Sequence, residues 1–369
     1  MAKKKPANKP AKKTTPTFRD VMKQRLTTSR KKSSPRKKPY RTLEADGVTY
    51  SFLSEWLNCR EQGRLSYVEG YQNSGMAEPL EFGSAIHYLL EVYAKNKFKP
   101  IRPFTHIAAF EAKRIKEIPA GDRPTFRRLM RTAETLWPHY ENYWRVKDGM
   151  ELRSDVKVIA TEQSFRIEHL VDTITPHPDD GPGAPTKKII VPIRGRFDAV
   201  LETSDGLWIM EDKTKSVIQQ RIQQYLPFDL QTGMYRYAAE KVFGKPVVGV
   251  LYNILRRPGL KQGQQSDREF QNRIAKDIQE RPDHYFIRYQ VHMAKNDNEN
   301  WVNRCLNPIL YQVALWWDEI KDNPFDPWSN PKRQHHYMNP EGLYTKYGEA
   351  AYFDFITSNY SNDFGLTRR

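Results

Sequence analysis

The sequence predicts an α/β (α+β) fold, a central mixed β-sheet flanked by helices. Three observations carry that expectation. Residues 50–147 place apolar side chains mostly at helical spacing. From residue 156 the pattern changes to alternating, β-branched segments. A helical stretch over 216–243 then precedes a further strong strand, VVGVLYNIL, at 247–255. Helices, a strand meander, then helix and strand are the signature of a sheet covered by helices.

Taken in order, Phe52, Leu53, Trp56 and Leu57 give the first helix a buried face, with Ser51 as its expected N-cap. A second helix is expected over 82–96, with Ser84 at its start. Residues 104–147 read as helix broken at Pro119, Pro124 and Pro138, with Trp137, Tyr140, Tyr143 and Trp144 as a core stripe. VKVIATEQSFRI, IIVPIRGRFDAVLE and LWIMEDKT read as strands, the first two separated by the Pro/Gly-rich loop TPHPDDGPGAPTKK. The 216–243 helix is expected to be interrupted at Pro227. DREFQNRIAKDIQE reads as an amphipathic helix, HYFIRYQVHM as a strand and 300–320 as helix.

The chain has 369 residues and a formal charge of +16. Residues 1–42 hold 16 Lys and Arg against the single acid Asp20, so the remainder carries only +1. A Lys-, Pro- and Ser-rich segment with few apolar residues cannot repay ordering, so residues 1–45 are expected to be a disordered basic tail. Such an arm attracts polyanions through counterion release or serves as a solubilising extension. It has no apolar h-region, so no secretory signal is expected. Cys59 and Cys305 form neither a disulfide framework nor a CxxC site, and no apolar run reaches membrane-span length. A cytoplasmic protein with no membrane association is the resulting expectation.

The stretch GLWIMEDKTK, residues 206–215, runs from a buried strand into dense charge. Burying charge is costly unless it is paired or bound to a metal. With Asp205-Gly206 as a two-residue hairpin turn, Asp198 falls opposite Lys213 and Val200 opposite Glu211. Asp198, Glu211 and Lys213 then share one sheet face, and Asp212 points to the other. Two carboxylates and an ammonium form either a salt-bridge network or a hard divalent-metal site. Gln231 and Tyr235, four residues apart, share one face of the following helix. His87 lies on the second helix as either a structural residue or a metal ligand. Glu162 ends an apolar run on the strand before the hairpin, where the lysine, the helix and water are all open as its partner.

Gly83-Ser-Ala-Ile-His87, Glu162, Gly195-Arg-Phe-Asp198, Glu211-Asp-Lys213-Thr214 and Gln231-Thr-Gly-Met-Tyr235 follow one another in the chain. In that order they resemble the PD-(D/E)XK nuclease superfamily, in particular its RecB-like branch with a Q-x-x-x-Y motif. The resemblance spans roughly residues 50–255, more loosely to about 355. It implies a restriction-endonuclease-like core and a single nuclease domain over 46–369. Residues 97–150 would be a helical insertion forming an arch or wall over DNA, and 320–369 a loop-rich segment packed on the N-terminal helices. It implies DNA phosphodiester hydrolysis with Mg²⁺ or Mn²⁺. His87, Asp198, Glu211 and the Asp212 carbonyl would ligate metal. Lys213 would orient or deprotonate water, and Gln231 and Tyr235 would position the strand.

Some relatives carry an iron–sulfur cluster held by one N-terminal and three C-terminal cysteines. Cys59 stands near the first position, but no cysteine follows Cys305. No iron–sulfur cluster is therefore expected, since one thiolate cannot hold a four-cysteine site. His335 and His336 lack further ligands in sequence that would define a zinc site. Arg127, Arg128, Arg131, Arg256, Arg257 and Lys261 either touch phosphates or form solvated faces. The leading expectation is a metal-dependent DNA exonuclease of recombination, repair or phage DNA metabolism, with a helicase or recombinase partner by analogy. The alternatives are a non-catalytic DNA-binding or assembly protein that keeps the fold, and an RNA-processing enzyme with the same chemistry.

Overall fold

The computed structural model describes residues 42–369 except 74, 148, 175–185, 219–220, 295, 325–326, 330–333, 340, 346–347, 350–351, 353–355, 357–365 and 369. The basic tail up to residue 41 and the Pro/Gly-rich loop at 175–185 lie outside the described residues. Leu43–Asp46, assigned to the tail from sequence, form a short helix capped by Thr42.

Five strands make the central sheet: β1 (Lys157–Ile174), β2 (Lys187–Thr203), β3 (Gly206–Lys215), β4 (Val247–Arg256) and β5 (Phe286–His292). They lie in sequence order, with β3 and β4 parallel and the other neighbours antiparallel. The parallel pair requires a crossover, supplied by helix α5 (Leu230–Phe243).

One face carries α2 (Glu78–Lys95) and α4 (Arg123–Val146), and α3 (Pro103–Arg114) packs against that layer. Their core joins Phe82, Leu89, Trp137 and Tyr140 to Ala199, Leu201, Met210 and Leu251 of the sheet. The other face carries α1 (Tyr50–Asn58), α5 and α7 (Asn307–Ile320). There Trp56, Met234 and Trp316 cover Phe197, Val200, Ile209 and Val250. The amphipathic helix α6 (Asp267–Glu280) opens with a Ser266–Glu269 capping box and adds Phe270, Ile274 and Ile278 to the first core.

Several boundaries differ from the sequence reading for local reasons. Helix α1 is capped by Thr49, whose hydroxyl accepts from the Phe52 N–H at 3.1 Å, rather than by Ser51. Helix α2 begins at Glu78, because Pro79 fits the first turn and Glu78 and Glu81 complement its dipole. Ser84 is therefore inside it. Pro124 starts α4 in the same manner, and Pro138 is accommodated within it.

The turn between β2 and β3 is Ser204-Asp205, not Asp205-Gly206, because Thr203 pairs with Gly206. Gly206 has φ +146, and a Cβ there would lie 2.8 Å from the Pro246 carbonyl oxygen. It must therefore open the strand at this close approach. The register moves by two residues, which keeps the β3 side chains on their expected faces. Strand β2, in contrast, departs from alternation at Asp198, so Asp198 does not simply share the face of Glu211 and Lys213 as expected from sequence.

The C-terminal segment returns to the N-terminal helices. Leu366–Arg368 pair antiparallel with Tyr71–Asn73. Cys59, Leu65, Tyr71, Tyr352 and Ile356 form a small buried cluster. Buried Arg64 donates to both carboxylate oxygens of Glu61 at 2.8 and 2.7 Å and to the Pro324 carbonyl at 3.0 Å. His336, from the loop pair, lies 3.0 Å from Glu61 and accepts from the Trp316 indole at 3.1 Å.

Candidate active site

The site forms where β2 and β3 part. Their ladder stops at Ala199–Met210, and beyond it the Asp212 N–H donates to Oδ2 of Asp198 at 2.9 Å. Strand β2 is distorted at that point. Phe197 and Val200, three residues apart, both face the α5-side core, while Ala199 faces α2. Alternation has slipped by one residue around Asp198. Across the β1–β2 ladder, pairing of Thr161 with Ala199 and of Gln163 with Phe197 sets Glu162 opposite Asp198. Glu162 has φ +49, a left-handed backbone unusual for a non-glycine residue inside a strand. Two irregularities thus face each other at the candidate centre.

Helix α2 supplies His87. Its approach to β3 depends on Gly83, where a Cβ would lie 2.9 Å from Thr214 Oγ1. One turn later His87 Nδ1 sits 3.5 Å from Asp198 Oδ1. His87, Glu162 and Asp198 bring ligand atoms to within 4.8 Å of one another. Glu162 is also paired with Arg196 at 2.7 Å.

Glu211 and Lys213 face α5. Lys213 Nζ donates to Gln231 Oε1 at 2.9 Å and lies 3.6 Å from Glu211 Oε2. Both Glu211 carboxylate oxygens are buried without a hydrogen bond. Helix α5 is fixed by Asp229, whose carboxylate accepts from the Thr232 N–H at 2.9 Å. Gln231 and Tyr235 lie on one face of α5, and the Tyr235 ring packs edge-on to Phe165 and Phe197.

Asp212 points the other way, as its position in the strand requires. Its Oδ1 accepts from Asn253 Nδ2 at 2.6 Å. The same amide donates to the Tyr140 hydroxyl at 3.0 Å, and Asn253 Oδ1 accepts from Arg288 Nε at 2.9 Å. Arg288 continues to Tyr140 at 2.9 Å and to both oxygens of Glu151. Sequence reasoning missed this buried network and the gathering of Glu162 with His87. A polar Asn253 in VVGVLYNIL, and Arg288 in YFIRYQ, were the available signals.

The electrostatics show crowded acids short of cations. Burial, reinforced by Asp198, lifts Glu211 to about 7. Burial likewise lifts Glu162 to about 7, and burial with the Asp198 charge lifts Asp212 to about 6. Asp198 is itself buried, yet the bond to His87 and the Lys213 charge hold it below the usual carboxylate range. Burial opposes the charge on His87, but Asp198 raises it overall. Lys213 is also raised against its burial, by Glu211 and Asp198, so it is an ammonium when no metal is bound.

The residues fit a hard divalent cation. An imidazole and two carboxylates already converge, and a third carboxylate is buried with both oxygens free of hydrogen bonds. Glu162 lies within the three residues whose ligand atoms converge, and Glu211, expected from sequence as a ligand, lies outside that three-residue set.

The basic residues singled out from sequence mostly have partners on the protein. Arg127 pairs with Glu111 at 3.3 Å, Arg131 with Asp267 at 2.5 Å and Arg257 with Glu78 at 3.3 Å. Arg128 donates to Gln262 at 3.1 Å and Arg256 to the His284 carbonyl at 2.9 Å. Among the described residues, no helix is long and apolar enough to cross a membrane.

The family model for the PD-(D/E)XK nuclease superfamily matches residues 48–334. No curated protein matches the chain.

Proposed function

The chain belongs to the PD-(D/E)XK nuclease superfamily, and from that premise we propose that it is a Mg²⁺- or Mn²⁺-dependent deoxyribonuclease of RecB-like type, acting as an exonuclease on cytoplasmic DNA. The observation that carries this reading is the junction at Asp198. One carboxylate there meets His87 and the Asp212 N–H, while Lys213 projects on the α5 side beside Glu211 and Gln231. His87, Glu162 and Asp198 would hold the metal, with Glu211 and the Asp212 backbone completing the set. When bound, the metal would acidify water and stabilise the leaving oxygen. Lys213, kept charged by its two acids, orients the attacking water and balances charge gathering on the phosphate. Gln231 fixes the ammonium and, with Tyr235, lines the approach of the strand. The Lys-rich N-terminal segment raises affinity for DNA of any sequence.

Incubation with end-labelled linear and closed circular DNA, in Mg²⁺, Mn²⁺ or EDTA, tests the reading. Expected is metal-dependent loss of linear DNA from its ends, with the circle spared. Binding without degradation in either metal would leave a non-catalytic DNA-binding protein.

A further inference from the structure

Phe197 belongs to the α5-side core, so its neighbour on the strand, Arg196, projects on the α2 side, toward His87 and the candidate centre. Arg196 pairs with Ser164 in the β1–β2 ladder, two residues along from Glu162. A long side chain reaches such a diagonal neighbour, and Arg196 Nε sits 2.7 Å from Glu162 Oε2. The partners differ in setting: the arginine side chain is 62% exposed and the glutamate side chain only 10%. The next cation along α2 from His87, Lys95, is paired with Glu91. Arg196 is thus the counter-ion at hand for Glu162.

An ordinary surface ion pair asks nothing of the backbone. Here Glu162 is held at φ +49 inside a strand, with a carboxylate oxygen within 4.8 Å of ligand atoms of His87 and Asp198. The carboxylate therefore has two claimants, a guanidinium and the divalent cation that the three residues fit. We propose that Arg196 is a built-in competitor of the metal, holding Glu162 in the metal-free protein and surrendering it when a divalent cation binds. The inference rests on the nuclease reading and deepens it by naming a control on the metal occupancy of that same centre. Two cations on one carboxylate repel each other, so the pair and the metal exclude one another. Arg196 leaves at little cost, because its exposed head returns to water. Glu162 stays, since its backbone and burial fix it, and a nearly buried carboxylate does not remain without a partner. The exchange lowers metal affinity, so the centre fills only above a threshold of free cation.

The experiment titrates the full chain, without DNA, with Mn²⁺ alone by calorimetry at about pH 8, where Glu162 is ionised. Wild type, Arg196→Gln, Glu162→Gln and the double variant complete a cycle. Arg196→Gln is expected to bind Mn²⁺ about three- to fivefold more tightly, the strength of a half-exposed ion pair, with an unchanged circular dichroism spectrum. Arg196→Lys keeps the charge and should fall between it and wild type. Glu162→Gln should weaken binding, and adding Arg196→Gln to it should change nothing further. The Mn²⁺ concentration that half-activates cleavage should fall by the same three- to fivefold in Arg196→Gln. Unchanged or weaker Mn²⁺ binding by Arg196→Gln overturns the proposal. So does an equal gain without the Glu162 carboxylate, which would assign the effect to the general field of the arginine. The two readings fail separately. DNA cleavage by wild type with unaltered Mn²⁺ affinity in Arg196→Gln refutes the competitor alone. Tighter Mn²⁺ binding by Arg196→Gln with no cleavage by wild type refutes the nuclease reading alone.

Discussion

The Asp212 N–H donates to the Asp198 carboxylate at 2.9 Å in the position where the next rung of the β2–β3 ladder would otherwise fall. A side chain has replaced a backbone carbonyl as acceptor. The replacement fixes Asp198 relative to the strand that carries Glu211 and Lys213. It also leaves Oδ1 of the same carboxylate toward His87, on the helix packed over the opposite face. A helix and the two strands of a hairpin therefore meet at one carboxylate.

Lys213 should be indispensable for turnover and dispensable for DNA binding. Lys213→Ala removes the ammonium from beside Glu211, and cleavage should fall by about 10²–10³-fold, the effect of deleting one preorganised donor. Asp198→Ala should do at least as much, since it also frees the Asp212 amide. Single-turnover assays with a labelled linear duplex, alongside binding in EDTA, measure both. Wild-type-like cleavage by Lys213→Ala would remove the basis of the mechanism.

Glu162 should trade stability against activity. Its left-handed backbone is one that glycine adopts without strain, and such strain amounts to about 1–3 kcal/mol. Glu162→Gly also removes a buried carboxylate held near the protonation point. The variant should melt at the same temperature as wild type or a few degrees higher, while losing metal affinity and cleavage. Calorimetric metal titration and thermal melting separate these effects. A variant that is both destabilised and fully active would show that Glu162 serves the fold.

Stability should depend on pH in a direction set by the acids. Glu211 and Glu162 titrate near 7 and Asp212 near 6 in the metal-free protein, above their ordinary range. Between the ordinary and raised values, the folded state holds protons that the unfolded chain has released. Their contribution is fully present below the ordinary carboxylate pKa and is lost as pH rises through about 6 to 7. Metal-free protein should therefore lose melting temperature over that interval. Mg²⁺ or Mn²⁺ should restore it, more strongly at pH 8 than at pH 5. Glu211→Gln should flatten the slope, and an unaltered slope would assign it to other groups.

The faces of β3 were legible in the sequence because strand alternation survives a shift of two residues. Asp212 therefore points away from Glu211 and Lys213 despite the misplaced turn. The turn itself was misjudged because Gly206 is demanded by the Pro246 backbone, a contact some forty residues away in the chain. Glu162 was hidden for a related reason. Its approach to His87 accompanies a slipped strand and a left-handed residue, neither of which leaves a mark in local composition. His87 was visible through its spacing from Gly83. The physical reason for that glycine, contact with Thr214, appears only in three dimensions.

The buried network behind Asp212 should govern stability and site geometry together. Arg288 is almost fully buried between Glu151 and Asn253, and its guanidinium stacks 3.8 Å from the Trp144 ring centre. Arg288→Ala strands the Glu151 carboxylate in the interior, which costs about 3–5 kcal/mol. Arg288→Lys should recover little, because an ammonium cannot reach Glu151, Asn253 and Tyr140 at once. Asn253→Ala leaves Arg288 with Glu151 and Tyr140 but strips Asp212 of its amide donor, costing about 1–3 kcal/mol. The two changes should differ in kinetics. Asn253→Ala acts next to the strand that carries Lys213, so kcat should fall while KM for DNA holds. Arg288→Ala should mainly lower the denaturation midpoint. Urea unfolding and steady-state cleavage on the same preparations distinguish them, and a purely structural role for Asn253 would leave kcat unchanged at temperatures where the variant is folded.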